Sequence, residues 1–181
     1  ASFQTTQANA NITLDQVNLL TGAVSLLTTG ATGAASLTNH GQALVLGTSN
    51  VGDNLTVEND VGAITDTGVI TVAGDTVFQT TQTNANVTLD QVSLFTGSVS
   101  LLTTGATATA SLTNVGAALN LTTTTIGDNL TVEVDVGAIT DSGVITVAGD
   151  ASFQTTQANA NITLDQINLL TGSVSLLTTG A

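Results

Sequence analysis

The sequence repeats itself at a fixed interval. Phe3 returns as Phe78 and Phe153, and the segment 52–75 returns almost letter for letter at 127–150, so the period is 75. Self-similarity at one period is typical of solenoids and other arrays that grow by stacking. We therefore predict a single continuous solenoid over residues 1–181, with repeats 1–75 and 76–150 and a partial repeat 151–181, and expect it to be a window of a longer array.

Within each repeat, apolar residues alternate with polar ones and do not recur at helical spacing. Examples are Ile12 with Leu14 and Leu55 with Val57, and the runs are separated by Gly-Asp, Thr-Gly and similar turn dipeptides. Alternation over four to eight residues is the pattern of a half-buried strand. We predict an all-β protein with almost no helix.

Each repeat divides again into three related segments. The first apolar residues of successive segments, Ile64, Val87, Leu112 and Ile139, follow one another at spacings of 23, 25 and 27. This spacing predicts a parallel β-helix (β-solenoid) with three short strands per coil of about 25 residues and three coils per 75-residue repeat. A β-sandwich also has strands at intervals of roughly 8 to 12 residues, but it does not require identical residues at a fixed period.

Glycines recur at the same turn of successive segments. We expect them to form one column at a coil corner, where a residue without Cβ permits a positive φ. The members of the predicted column are Gly22, Gly52, Gly74, Gly97, Gly127, Gly149 and Gly172.

The charge of the chain excludes several classes of partner. It has no Lys or Arg and a formal net charge of −13, so it lacks the basic surface that nucleic acids and anionic lipids require. No apolar run reaches the roughly 18 residues of a membrane helix. We expect no nucleic-acid partner and no membrane insertion.

Several of the repeated motifs resemble a known family. Gly-Asp-Asn-Leu-Thr-Val, Gly-Ala-Ile-Thr-Asp-Ser-Gly, Val-Ile-Thr-Val-Ala-Gly and Ala-Leu-Asn-Leu look like the repeats of filamentous-haemagglutinin-like bacterial surface proteins. These are large β-strand-repeat adhesins that are exported across the outer membrane. The resemblance implies an extracellular location at the bacterial cell surface and a role as part of an adhesin shaft.

The residues needed for most catalytic chemistry are missing. Cys, Lys, Arg and Tyr are absent, and the only histidine, His40, is replaced by Val115 one repeat later. The acidic residues recur along the array, which argues against a single active site, and no cleft is indicated that would hold a glycosidase acid and base. We predict that the chain is not an enzyme, that it requires no cofactor and that His40 is an exposed or turn residue.

Two functions then remain. The first is a structural segment of a secreted or cell-surface filament, in which coils stack into a stiff fibre and open coil ends favour self-association, end to end or side by side. The alternative is a module that binds surface glycans or a receptor through the solenoid face. Sugar sites usually need an exposed aromatic ring, and we expect Phe3, Phe78 and Phe153 to face the interior.

Acidic residues are predicted to meet at two corners of the solenoid. Aligning the segments places Asp15, Asn39, Asp66, Asp90, Asn114, Asp141 and Asp165 at one corner, with Asp66 beside Asp90 and Asp141 beside Asp165. At the second corner Asp53 lies beside Asp75, and Asp128 beside Asp150. Each Asp either hydrogen-bonds its own turn or, with its neighbour, binds a hard cation such as Ca²⁺. We hypothesise weak Ca²⁺ binding at the eight paired aspartates, which exclude Asp15.

Overall fold

Alternating apolar residues produce a chain that consists almost wholly of strands. The computed structural model describes residues 1–180, and within them there is no helix, and hence none that could span a membrane. The strands, in chain order, are β1 Ser2–Gln4, β2 Ile12–Asn18, β3 Ser25–Leu27, β4 Ala35–Asn39, β5 Leu44–Leu46, β6 Ser49–Val51, β7 Leu55–Asn59, β8 Ile64–Asp66, β9 Ile70–Val72, β10 Thr76–Thr83, β11 Val87–Phe95, β12 Ser98–Thr104, β13 Ala110–Asn114, β14 Leu119–Leu121, β15 Thr124–Ile126, β16 Leu130–Val134, β17 Ile139–Asp141, β18 Ile145–Val147, β19 Ala151–Ala158, β20 Ile162–Thr163, β21 Leu169–Leu170 and β22 Val174–Thr179.

The strands form two parallel sheets, each of 11 strands, and the chain crosses from one sheet to the other at every half-turn. Sheet I follows the path β1-β3-β6-β9-β11-β13-β16-β19-β22 and includes β5 and β8. Sheet II follows β2-β4-β7-β10-β12-β14-β17-β20 and includes β15, β18 and β21. The result is a parallel β-solenoid of about eight turns, which confirms the predicted fold class.

The coils are shorter than the sequence pattern predicts. Val87 pairs with Ala110, Ala110 with Leu130, and Leu130 with Ala151, at offsets of 23, 20 and 21. The average is about 21 residues per turn, and a coil contains two or three strands because some crossings of a sheet are split into two short strands. The predicted division of each repeat into three coils is therefore corrected.

The repeat ends half a turn out of phase with the coil. From β2 to β11, its equivalent one repeat later, the chain makes seven crossings between the sheets, which is three and a half turns. Each strand of sheet I that has an equivalent in the next repeat finds it in sheet II, and the reverse also holds. Chemically equivalent residues of neighbouring repeats therefore lie on opposite faces of the solenoid.

This half-turn offset can be checked with pairs of spin labels, because the chain contains no cysteine. Ser36 and Ser111 are equivalent positions in β4 of sheet II and β13 of sheet I. Labels at Cys introduced by Ser36→Cys and Ser111→Cys should lie on opposite faces, well beyond the roughly 14 Å of three stacked coils on one face. The control pair Ser36→Cys and Thr56→Cys occupies directly paired positions and should give a short distance. A Ser36 to Ser111 distance near that of three coils would contradict the offset.

The space between the two sheets is filled by one continuous core of aliphatic side chains. Every second strand residue points inward, as in Leu55–Asn59, whose first, third and fifth residues are buried. Phe78, Phe95 and Phe153 are completely buried and Phe3 is half-buried, which agrees with the predicted inward orientation of the aromatic rings. Phe78 and Phe95 pack edge to face, with ring centroids 5.9 Å apart. Phe3 and Phe153 belong to sheet I and Phe78 to sheet II, so the three rings do not form one column.

The recurrent glycines allow the backbones of neighbouring coils to approach closely. A Cβ at Gly52 would lie 1.9 Å from the carbonyl oxygen of Gly30, and a Cβ at Gly97 would lie 2.3 Å from that of Gly74. One repeat later, Gly127 meets Gly105 and Gly172 meets Gly149 in the same way. The predicted single column is thus two columns on opposite sides, and its members have no positive φ. At every member except Gly22, where nothing lies within 4 Å of an added Cβ, close approach and not the predicted positive φ explains why the position is glycine.

Candidate cation-binding corners

The structure brings together the pairs of aspartates predicted at the first corner. The backbone N–H of Asp90 donates to Oδ1 of Asp66 at 3.1 Å, and that of Asp165 donates to Oδ1 of Asp141 at 2.9 Å. Asp66 and Asp141 are the last, inward-facing residues of β8 and β17, and both are buried. Asp90 and Asp165 are exposed. Each pair therefore consists of one buried carboxylate and one exposed carboxylate on adjacent coils.

The residues assigned to this corner are divided between the two sheets. Asp66 belongs to sheet I and Asp141 to sheet II, because they are one repeat apart. Asn39 is completely buried and donates through its side-chain amide to Oδ1 of Asn59 at 3.1 Å. Asn114 is likewise buried and accepts the N–H of Phe95. Asp15 is exposed in β2, and the predicted column is split between two sides of the solenoid.

The environment of Asp66 raises its pKa. Burial is the largest cause, since it disfavours the charged form, and the nearby charge of Asp90 acts in the same direction. The N–H groups of Asp90 and Gln91 oppose this shift by donating to the carboxylate. These two donors both reach Oδ1, and Oδ2 has no hydrogen-bond partner.

The equivalent carboxylate of Asp141 is fully hydrogen-bonded. Its Oδ2 accepts the side-chain amide of Asn168 at 2.5 Å and the N–H of Gln166 at 3.4 Å. The residue equivalent to Asn168 beside Asp66 is Ser93, which is shorter and has no amide group. The replacement of Asn168 by Ser93 is thus the difference between a carboxylate that is fully hydrogen-bonded and one that is not. The sequence pattern does not indicate this difference.

At the second corner the carboxylates of Asp75 and Asp150 accept hydrogen bonds from the next coil. Asp75 Oδ1 accepts the N–H of Ser98 at 2.9 Å and its hydroxyl at 2.6 Å, and Asp150 Oδ1 accepts the N–H of Ser173 at 2.8 Å. Asn54 in turn accepts the N–H of Asp75 at 2.8 Å. The side chains of Asn54, Asp75 and Asp150 thus each accept a backbone N–H from the coil that follows in the chain.

Asp53 and Asp128 lie next to these acceptors, as predicted. The N–H of Gly74 donates to the backbone oxygen of Asp53 at 3.2 Å, and the N–H of Gly149 donates to that of Asp128 at 3.0 Å. Asp53 and Asp75 therefore belong to adjacent coils, and so do Asp128 and Asp150. Among residues 1–180 there is no group of three or more His, Asp or Glu side chains that could hold a metal ion. Ca²⁺ binding at the eight aspartates stays a prediction.

The hydrogen bonds from Ser98 lower the pKa of Asp75, the side-chain hydroxyl being the larger cause. A carboxylate with a lowered pKa contributes stability above its ordinary pKa of about 3.9, and this contribution is lost as the pH falls through the folded-state value. We expect Ser98→Ala, the change that Ala23 already represents at the equivalent position, to raise the pKa of Asp75 toward the ordinary value. Carboxyl-carbon NMR titration would measure it, and an unchanged pKa would contradict the assigned cause.

His40 is half-buried and is not a freely exposed turn residue. Its Nδ1 contacts Oδ2 of Asp60 in the adjacent coil. One repeat later Val115 replaces the histidine, and Asp135 accepts the N–H of Gly116 at 2.7 Å. The aspartate at this position of the repeat therefore contacts a histidine side chain at Asp60 and a backbone N–H at Asp135.

Comparisons with known proteins agree with the repeat architecture. Residues 32–102 and 106–177 match the family described as repeats of unknown function (DUF5649), and the chain belongs to this family. The first matched segment begins at residue 32 and the second at residue 106, almost one full repeat later. The comparisons with curated proteins and with solved structures gave no match.

Proposed function

We propose that the chain is a structural segment of a secreted or cell-surface filament, in which stacked coils form a stiff shaft. The observation that carries this proposal is the continuity of the two sheets from β1 to β22 and of the core from Phe3 to Leu170. Each coil hydrogen-bonds to the next along both faces, so the array extends in one direction without changing its cross-section. Near-identical repeats make every coil a suitable neighbour for the next.

The resemblance of the repeats to filamentous-haemagglutinin-like adhesins supports an extracellular place for this shaft, at a bacterial surface. The absence of Lys and Arg leaves no site for trypsin-like proteases, which suits a protein outside the cell. The partner in this proposal is a second copy of the chain, associated end to end or laterally.

The proposal is tested by lengthening the array. A variant with residues 76–150 duplicated gains three and a half turns, and at about 4.8 Å per coil its rod should grow by roughly 17 Å. Small-angle scattering should show the added length with an unchanged cross-sectional radius. A thicker particle, or rapid digestion of the folded chain by a protease that cleaves after aliphatic residues, would contradict a stiff shaft. Heat-denatured protein is the control for the digestion.

A binding module for glycans or a receptor is the second candidate, and one surface feature favours it. A shallow groove on sheet II is lined by amide, hydroxyl and small apolar side chains, namely Asn11, Ile12, Thr13, Ala34, Ala35, Ser36, Asn54 and Thr56. Such groups suit a neutral sugar, but the buried Phe rings provide no stacking platform. Saturable binding on a glycan array that Thr56→Val abolishes would favour this candidate over the shaft.

A further inference from the structure

The carboxylate of Asp66 has an oxygen that no group of the chain satisfies. The residue is only 6% exposed, and its Oδ2 has no hydrogen-bond partner. An unpaired buried carboxylate oxygen is costly, because it has lost its water without gaining a donor. The chain contains no Lys or Arg that could supply one, and the nearby charge of Asp90 adds repulsion.

The equivalent site at Asp141 shows which group is missing. Asn168 performs two tasks there, since its Oδ1 accepts the N–H of Ile145 at 2.7 Å and its Nδ2 donates to Asp141 Oδ2. Ser93 keeps the first task, because its Oγ accepts the N–H of Ile70 at 3.1 Å. A hydroxyl can also donate, but that of Ser93 makes no hydrogen bond to Asp66 Oδ2. The shorter side chain of Ser93 therefore leaves Asp66 Oδ2 without the donor that Asn168 supplies to Asp141.

The hydroxyl oxygen of Ser93, which keeps one free lone pair, therefore takes the place beside Asp66 that the side chain of Asn168 takes beside Asp141. Ser93 is completely buried, so its Oγ is held in place by the core and by the N–H of Ile70. Hard cations prefer carboxylate and hydroxyl oxygens and can retain water for their remaining ligands.

We propose that Asp66 Oδ2 and Ser93 Oγ form a binding site for one hard divalent cation, and that Asn168 closes the corresponding site at Asp141. The amide of Asn168 occupies in one repeat the position that the cation takes in the other. The site is independent of the shaft proposed above. Among the eight aspartates predicted to bind cations, the proposal assigns a cation to Asp66 alone.

The test exchanges the two residues between the repeats. Titration of the protein with CaCl₂ at pH 7, at ionic strength matched with KCl, is followed by amide chemical shifts. In the natural chain we expect saturable shifts around Asp66, Ile70 and Ser93 and none around Asp141. Ser93→Asn should abolish them, and Asn168→Ser should add a second set around Asp141 and Ile145. The melting temperature should rise with Ca²⁺ in step with the number of sites.

Both substitutions place a residue that the array already holds at the equivalent position, so folding is expected to be retained and is checked by circular dichroism. Shifts that persist unchanged in Ser93→Asn would overturn the proposal. So would a natural chain without saturable shifts, in which Asp66 takes up only a proton.

Discussion

Gly97→Ala is expected to destabilise the solenoid by about 2 to 4 kcal/mol. The new Cβ would lie 2.3 Å from the carbonyl oxygen of Gly74 and 2.4 Å from its carbonyl carbon. Real Cβ atoms do not approach backbone so closely, and the backbone of a stacked coil cannot move without disturbing the coils above and below it. Urea denaturation followed by circular dichroism would measure the change.

The array contains its own controls for this substitution. Gly22 and Gly172 occupy the same position of the repeat as Gly97. At Gly22, in the first coil, nothing lies within 4 Å of an added Cβ, so Gly22→Ala should change stability by less than about 0.5 kcal/mol. At Gly172 the clash with Gly149 is the same, but the last coil can shift, and an intermediate loss is expected. Equal losses at Gly22 and Gly97 would show that close approach is not the cause.

The second large effect is expected for Phe78→Ala, at about 3 to 5 kcal/mol. Phe78 is completely buried between the sheets and packs edge to face against Phe95. Truncation removes a large apolar side chain and leaves a cavity that the stacked strands cannot fill, because their spacing is fixed by the hydrogen bonds between coils.

Phe3 and Phe153 are the matched positions for this second prediction. Phe3 is half-buried, and Phe3→Ala should cost clearly less than Phe78→Ala. Phe153 is completely buried, but the residue equivalent to Phe95 in its repeat is Leu170. The stability lost in Phe153→Ala should therefore lie between the losses in Phe3→Ala and Phe78→Ala. Denaturation midpoints of the three variants would establish the order, and a Phe3→Ala loss as large as that of Phe78→Ala would contradict it.

The strand content and the direction of the side chains could be predicted because they depend on local alternation. The spacing of Leu55 and Val57, and of Ile70 and Val72, predicts that these side chains point inward, whatever the rest of the fold is. The same reasoning placed Asp66 beside Asp90 correctly, because Asp90 follows Asp66 by one coil together with part of the bulge in β11.

The coil length could not be read from the same pattern. The repeat fixes the period of the sequence but not the number of turns that each period contains, and the three related segments suggested three. The sequence also does not show that equivalent strands of neighbouring repeats belong to opposite sheets, because strands of both sheets need the same alternation of apolar and polar residues.

The role of Ser93 was hidden for a different reason. Serine and asparagine are both small polar residues that suit a corner, and nothing in the local sequence indicates which of them completes a carboxylate in the neighbouring coil. Only the contacts of Asn168 with Asp141 and Ile145 show that one amide group makes the difference. Comparison of equivalent positions within the array, used together with the contacts, identifies such a site.

The half-turn offset gives the number of repeats a meaning of its own. Adding one repeat unit lengthens the rod and also rotates everything that follows it by half a turn, whereas adding two units restores the original orientation. An array with an odd count would therefore present a terminal domain on the side opposite to that of an array with an even count. Gain or loss of single units reverses the direction in which the tip faces, and changes in pairs alter only its reach.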